Sequence, residues 1–171
     1  MTDQVLTDQE SAALQAWVRF LRGHAWATRV LSAQLSSEHG LTINDYEALL
    51  LLAQADEDHM RRVDLAAGLQ LTPSGVTRLL KGLEQVGLVE KATCAVDARV
   101  TYAVLTGDGR RKLEEASRSH LAAVRAMFEE RFSEQELEVL AELLGRLPGA
   151  AEAEPGECAP GRCALQPGAT S

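Results

Sequence analysis

The sequence predicts a mainly α-helical fold carrying one two-stranded β hairpin, and three observations predict it. Apolar residues recur at i, i+3, i+4 and i+7 over long stretches, as in Leu14, Trp17, Val18 and Leu21. Helix-start signals stand ahead of several of these runs: Thr7 three residues before Glu10, Thr72 directly before Pro73, and Ser133 three residues before Glu136. The helical period gives way between Gly87 and Thr106, where Leu88–Lys91 and Val100–Leu105 are short β-prone segments joined by a polar connection.

Taken in order, the Thr7–Glu10 capping box opens a long helix. Its stripe continues through Ala25, Val30, Leu31 and Leu35 until Gly40 ends it. Thr42 caps a second helix bearing Tyr46, Leu49, Leu50, Leu52 and Ala53, which Asp56, Glu57 and Asp58 terminate. A short helix from Arg61 to Leu69 turns Val63, Leu65, Ala66 and Leu69 inward, and a tight turn follows at 68–71. The next helix, about 72–87, starts on Thr72 with Pro73 at its first position and buries Val76, Leu79, Leu80 and Leu83. After the hairpin, about 88–105, Thr106-Gly107-Asp108-Gly109 opens a helix carrying Leu113, Leu121, Val124, Met127 and Phe128. Ser133 caps the last helix, with Leu137, Leu140, Leu144 and Leu147 in one stripe.

This reading divides the chain into an N-terminal helix (1–40), a central lobe (41–106), two C-terminal helices (107–147) and a tail (148–171) whose Ala, Gly, Pro and Glu predict disorder. A helix reaching from Thr7 to about Ser37 is too long for the small lobe to cover. The apolar stripes at both ends therefore predict a second copy of the chain as their partner.

A length of 171 residues with 46% apolar content is enough for a buried core. No apolar run approaches the ~20 residues that cross a bilayer, and the N-terminus is acidic and polar, so a cytoplasmic protein with no membrane partner is expected. Three cysteines, Cys94, Cys158 and Cys163, do not make a disulfide framework and fit a reducing compartment. The net charge of −8 argues against a polyanionic partner until its distribution is considered. Arg61, Arg62, Arg78, Lys81, Lys91, Arg99, Arg110, Arg111 and Lys112 leave the window from Arg61 to Lys112 at +4 and the remainder at −12.

Two short helices across a tight turn make a helix-turn-helix, and the hairpin behind them completes a winged form of it. With Val76, Leu79, Leu80 and Leu83 facing the core, the second helix presents Ser74, Gly75, Thr77, Arg78 and Lys81 outward, beside its cap Thr72. Hydroxyls and long cations on one face suit base edges and phosphates. The Arg78 fork matches guanine N7 and O6, whereas Lys81 suits phosphate. Arg61 and Arg62 are further phosphate candidates, and Lys91 belongs to the wing. Gly75, unfavourable inside a helix, would let the backbone approach DNA closely.

These residues resemble the MarR-type (multiple antibiotic resistance regulator) winged-helix repressors. The likeness runs through Leu65-Ala66, Thr72-Pro73-Ser74-Gly75-Val76-Thr77-Arg78-Leu79, Leu83, Gly87-Leu88-Val89, Asp97-Ala98-Arg99, Leu105-Thr106 and Gly109, and with its flanking helices covers roughly residues 7 to 147. The resemblance implies a symmetric homodimer placing two recognition helices in successive major grooves of a palindromic operator, with half-sites ~10 bp apart. It implies that Arg99 enters the minor groove and that Asp97 holds it by a charge-assisted hydrogen bond. It also implies a small aromatic or phenolic effector, lined by Trp26, Val30, Tyr46 and Met60. The departure is a weakly charged wing, with Ala92, Thr93, Ala95 and Ala98 where relatives often carry Arg or Lys.

No nucleophile–base set, phosphate loop or metal motif occurs, so neither an enzyme nor a cofactor is expected. His24, His39, His59 and His120 lack ligand spacing. An aromatic content of 4% speaks against single-strand and RNA binding, where bases stack on rings. Two alternatives stay open: a cysteine-based redox-sensing regulator, because Cys94 lies in the wing and Cys158 and Cys163 in the tail, and a winged-helix protein-interaction module. Family redox sensors usually keep their reactive cysteine near the N-terminus, where this chain has none.

Overall fold

The computed structural model describes residues 11–94, 97 and 99–147, and the backbone of 165–167. Thr7, Glu10, Ala95, Ala98, Cys158 and Cys163 lie outside the described residues. The chain forms two compact units, the first ending at Ile43 and the second starting at Asn44.

In the first unit, helix α1 spans Ala12–His39. Ser11 Oγ accepts the Leu14 N–H at 3.3 Å. Gly40 adopts φ 68°, and its N–H and that of Leu41 return to the carbonyls of Ser36 and Leu35. This left-handed stop is the one its sequence position predicts. Along α1, Leu14, Trp17, Val18, Phe20, Leu21, Trp26 and Val30 are exposed, Trp17 by 56%.

The second unit contains α2 (Ile43–Gln54), β1 (His59–Arg61), α3 (Arg62–Gly68), α4 (Pro73–Gln85), β2 (Val89–Cys94), β3 (Thr101–Leu105), α5 (Gly107–Glu129), α6 (Glu134–Gly145) and β4 (Leu165–Pro167). Its core is aliphatic. Leu49, Leu52, Leu65, Leu80, Val89 and Ala103 are essentially sealed from solvent, with Val76, Leu83, Leu88, Leu105 and Leu113 around them. Helix α3 packs on α4, β1 and β3, and α4 packs on β2. On α4 the inward set Val76, Leu80 and Leu83 is buried as its spacing predicts, while Leu79 is only half-buried.

The sheet has the antiparallel order β1-β3-β2-β4. It is wider than the two-stranded hairpin the sequence predicts. Strand β1 takes His59 to Arg61 and pairs Met60 with Ala103, so the short helix starts at Arg62 rather than Arg61. Three residues are too few to show an alternating pattern, which is why β1 is invisible to periodicity. Strand β2 also runs on to Cys94, since Ala92 and Thr93 find partners in Tyr102 and Thr101. Leu165–Pro167 pairs with Ala92–Cys94, giving three residues of the tail a strand where composition predicts disorder. Cys94 is disulfide-bonded, against the expectation of unpaired thiols.

Between α2 and β1, Asp56–Asp58 makes a single 3-10 turn in which Glu57 and Asp58 hold φ 54° and 59°. Asp58 leaves this strained turn in an ion pair with Arg110 of α5. The Ser133 capping box forms as its spacing predicts: the Ser133 N–H donates to Glu136 Oε2 at 2.8 Å, and Ser133 Oγ accepts the Glu136 N–H. The Ser133 N–H and the Ser133 hydroxyl, both donated to Glu136 Oε2, hold that carboxyl below its usual range. No residue of α6 is buried, and Val139, Leu143 and Leu147 on and after it are exposed.

Candidate nucleic-acid interface

Helix α4 is set by its cap and by the turn ahead of it. Thr72 Oγ1 accepts the Gly75 N–H at 3.1 Å, and Pro73 needs no partner for its missing N–H. In the turn, Leu71 N–H bonds to the Ala66 carbonyl at 2.9 Å while Gln70 takes φ 53°. Thr72→Ala is therefore expected to lower stability by about 1 kcal/mol, read as a shift in the urea midpoint, and to loosen the first turn of α4.

Gly75 has a reason inside the protein. A Cβ there would lie 3.2 Å from Thr72 Oγ1 and 3.6 Å from Leu71 Cβ, crowding the hydroxyl that caps the helix. Sequence reasoning left this glycine between a close approach to DNA and tolerated slack; its own cap is the constraint visible in the fold.

The outward face of α4 carries Ser74, Thr77, Arg78 and Lys81, all exposed as predicted. Thr77 Oγ1 donates back to the Pro73 carbonyl at 2.7 Å and Ser74 Oγ lies 3.2 Å from Thr72 Oγ1, so both hydroxyls are already oriented. Arg78 and Lys81 have no carboxylate partner among the described residues.

The nine cations of the basic window divide sharply. Arg61 makes a two-point pair with Asp64, Nε to Oδ2 at 2.6 Å and a second nitrogen to Oδ1 at 3.1 Å. Arg62 bridges from α3 to Glu84 of α4, with its side chain mostly covered and its Nε buried without a hydrogen-bond partner among the described residues. Arg110 binds Asp58 and Arg111 binds Asp108. The cations without an ionic partner among the described residues are Arg78, Lys81, Lys91, Arg99 and Lys112. The positive charge without an ionic partner among the described residues thus includes the two cations of α4 and the two of the wing, while the further phosphate candidates Arg61 and Arg62 each pair with an internal carboxylate.

At the wing, Asp97 Oδ1 accepts the backbone N–H of Arg99 at 2.9 Å, and the Asp97 carbonyl accepts the Val100 N–H at 3.0 Å. The aspartate therefore shapes the turn that carries Arg99. It does not grip the guanidinium, as the family resemblance implied, and that group stays exposed. Lys91 projects from β2, opposite Ala103 in the register. At the base of the wing, Thr106 Oγ1 donates to the Gly87 carbonyl at 2.7 Å and accepts the Gly109 N–H at 3.0 Å. One side chain thus ties the end of the recognition helix, the wing and α5 together.

The four effector-pocket candidates fall in both units. Trp26 and Val30 lie one turn apart on α1, each partly exposed. In the second unit Tyr46 is buried and Met60 half-buried in β1. Sequence reasoning missed what surrounds Tyr46: its ring centroid is 4.7 Å from that of His120, and its hydroxyl is 3.2 Å from Ser117 Oγ. His120 is 7% exposed, with Nδ1 buried and without a hydrogen-bond partner among the described residues. Burial pushes the His120 pKa below its ordinary 6.5. The folded chain keeps this ring neutral, so its contribution to stability is intact above pH 6.5 and is lost as pH falls below that value toward the depressed folded pKa. Urea midpoints measured from about pH 8 to about pH 5 are expected to fall with acid in the parent and to fall less in His120→Gln.

No helix among the described residues is long and apolar enough to cross a membrane. A family model described as "MarR family" matches residues 39–100. The chain is similar to the MarR family transcriptional regulator AbsC from Streptomyces coelicolor, at 31% identity and TM-score 0.70, over 78% of this chain and 90% of that one. It is also similar to Sco3205, a MarR family regulator from the same organism solved in complex with DNA, at 26% identity and TM-score 0.72, over 78% and 84% of the two chains. The HTH-type transcriptional repressor YetL of Bacillus subtilis (strain 168) is 29% identical over 108 residues, 63% of this chain, and the chain spans 64% of its length. A helix-turn-helix whose second helix carries cations with no ionic partner among the described residues, a wing carrying Arg99, and these likenesses place the chain in the MarR family of winged-helix DNA-binding transcriptional regulators, and not among enzymes.

Proposed function

We propose that the chain is a homodimeric repressor that reads a pseudo-palindromic promoter site and is released by a small aromatic or phenolic effector. One observation carries the DNA-reading part: Arg78, Lys81 and Arg99 have no carboxylate partner among the described residues, while neighbouring arginines do. Ser74, Thr77 and Arg78 read base edges from α4, Lys81 and Lys91 meet phosphate, and Arg99 enters the minor groove. The dimer is supported by the apolar residues left open on α1 and α6, which a second copy covers. Repression is proposed from the likeness to the transcriptional repressor YetL. The effector proposal rests, within the second unit, on Tyr46 and Met60, with the buried His120 Nδ1 as an added polar contact.

Footprinting of the purified protein on the DNA upstream of its own gene tests this reading. Two protected half-sites with centres ~10 bp apart, weakened by an aromatic acid, are expected. Absence of protection at low salt would reject it.

A further inference from the structure

We propose that the recognition helix reads one thymine in each half-site by its 5-methyl group, received in an apolar hollow between α3 and α4 where Val63 and Thr77 determine the specificity. The inference rests on the DNA-binding reading above and names the base that this part of the surface selects.

The hollow is open to solvent and has a volume of about 380 Å³. Val63 and Ala67 of α3 and Pro73 and Thr77 of α4 form its exposed lining, over the buried Ala66 and Val76. Val63, which its spacing places inward, is 68% exposed. The two polar side chains of the lining are already engaged. Arg62 holds Glu84, and its Nε is covered. Thr77 Oγ1 donates to the Pro73 carbonyl at 2.7 Å, which leaves the methyl of Thr77, rather than its hydroxyl proton, to meet a partner. An apolar hollow whose cation is paired with a carboxylate does not suit a phosphate or a free carboxylate.

What it suits follows from where it lies. Pro73, Thr77 and Lys81 stand at i, i+4 and i+8 of α4, so the hollow shares one helical face with a cation that has no ionic partner among the described residues. Arg78 follows Thr77 directly. A duplex held by Arg78 and Lys81 brings base edges to the hollow. In the major groove every base edge presents hydrogen-bonding groups, and thymine alone adds an apolar one, its C5-methyl. The amino group of cytosine or adenine in the same place would face aliphatic carbon with no acceptor from these side chains. Thr77 therefore acts as a methyl reader and not as a hydroxyl reader.

The test uses the full chain and a duplex that it selects from a random pool. Each thymidine of the selected site is replaced in turn by deoxyuridine, which removes the methyl and keeps the hydrogen-bonding groups, and affinity is read by fluorescence anisotropy at one salt concentration. At one position in a half-site the parent is expected to lose about fourfold in affinity, the effect of one buried methyl, and about fifteenfold when both half-sites are changed. Thr77→Ser combined with Val63→Ala removes apolar atoms and keeps the hydroxyl that bonds to the Pro73 carbonyl. This variant is expected to bind the thymidine and deoxyuridine duplexes within about twofold of each other, as a coupled pair requires. A parent that binds its selected site but is indifferent to deoxyuridine at every position overturns the methyl contact and leaves the DNA reading standing. An undiminished ratio in the double variant assigns the sensitive methyl to another part of the protein and overturns the hollow as its site. A parent that selects no duplex overturns both.

Discussion

Gly109→Ala is expected to destabilise the protein by about 3 kcal/mol, enough to lower the melting temperature by roughly 6 to 12 °C. A Cβ on residue 109 would stand 2.1 Å from the Leu88 carbonyl oxygen and 2.8 Å from Leu105 Cδ1. Neither neighbour is free to move. The Leu88 carbonyl accepts the Thr106 N–H, and Thr106 Oγ1 is shared between the Gly87 carbonyl and the Gly109 N–H. The first turn of α5 is thus pressed against the joint between recognition helix and wing, and any relief of the clash shifts the wing relative to α4. Gly82, in contrast, lies in α4 with nothing within 4 Å of its missing Cβ. Gly82→Ala is therefore expected to stabilise the helix by up to about 1 kcal/mol. Thermal melts of the two variants should move in opposite directions, and a Gly109→Ala protein that melts with the parent would show that this contact is not tight.

The second large effect concerns DNA. Arg78→Ala and Arg99→Ala are each expected to cost about 1 to 3 kcal/mol of operator affinity, and together to add, since the contacts proposed for them lie in different grooves. Arg78→Ala should also relax discrimination at one base pair. Lys81→Ala should weaken all sequences alike and reduce the slope of log affinity against log salt by about 1. Arg62→Ala separates internal from external charge. Its guanidinium binds Glu84 across the two helices of the motif, so its loss should appear as about 1 to 3 kcal/mol of fold stability with little change in salt slope. Fluorescence anisotropy on a matched and a scrambled duplex distinguishes these outcomes. Equal losses on both duplexes from Arg78→Ala would remove it from base reading.

Helix positions were legible in the sequence because periodicity and capping are local. Thr72, Ser133 and Gly40 act where their residue types and spacing place them, and Val76, Leu80 and Leu83 are buried as their stripe requires. What stayed hidden depends on contacts far apart along the chain. Arg62 with Glu84, Asp58 with Arg110, and Tyr46 with His120 are separated by 22, 52 and 74 residues, and no local pattern announces them. The same holds for β1, whose three residues are a strand only because β3 lies beside them. The face of α4 was therefore readable, whereas the withdrawal of Arg61 and Arg62 into ion pairs was not. The long-range contact at Gly109 turns a residue that helix propensity would replace with alanine into one the fold requires.

The measurement that addresses the central claim most directly is the mass in solution of the complex between this protein and a duplex carrying its selected site. The account predicts two chains on one duplex, with the assembly lost when Arg78 and Arg99 are both alanine. One chain per duplex, or binding of equal strength by the double variant, would contradict it.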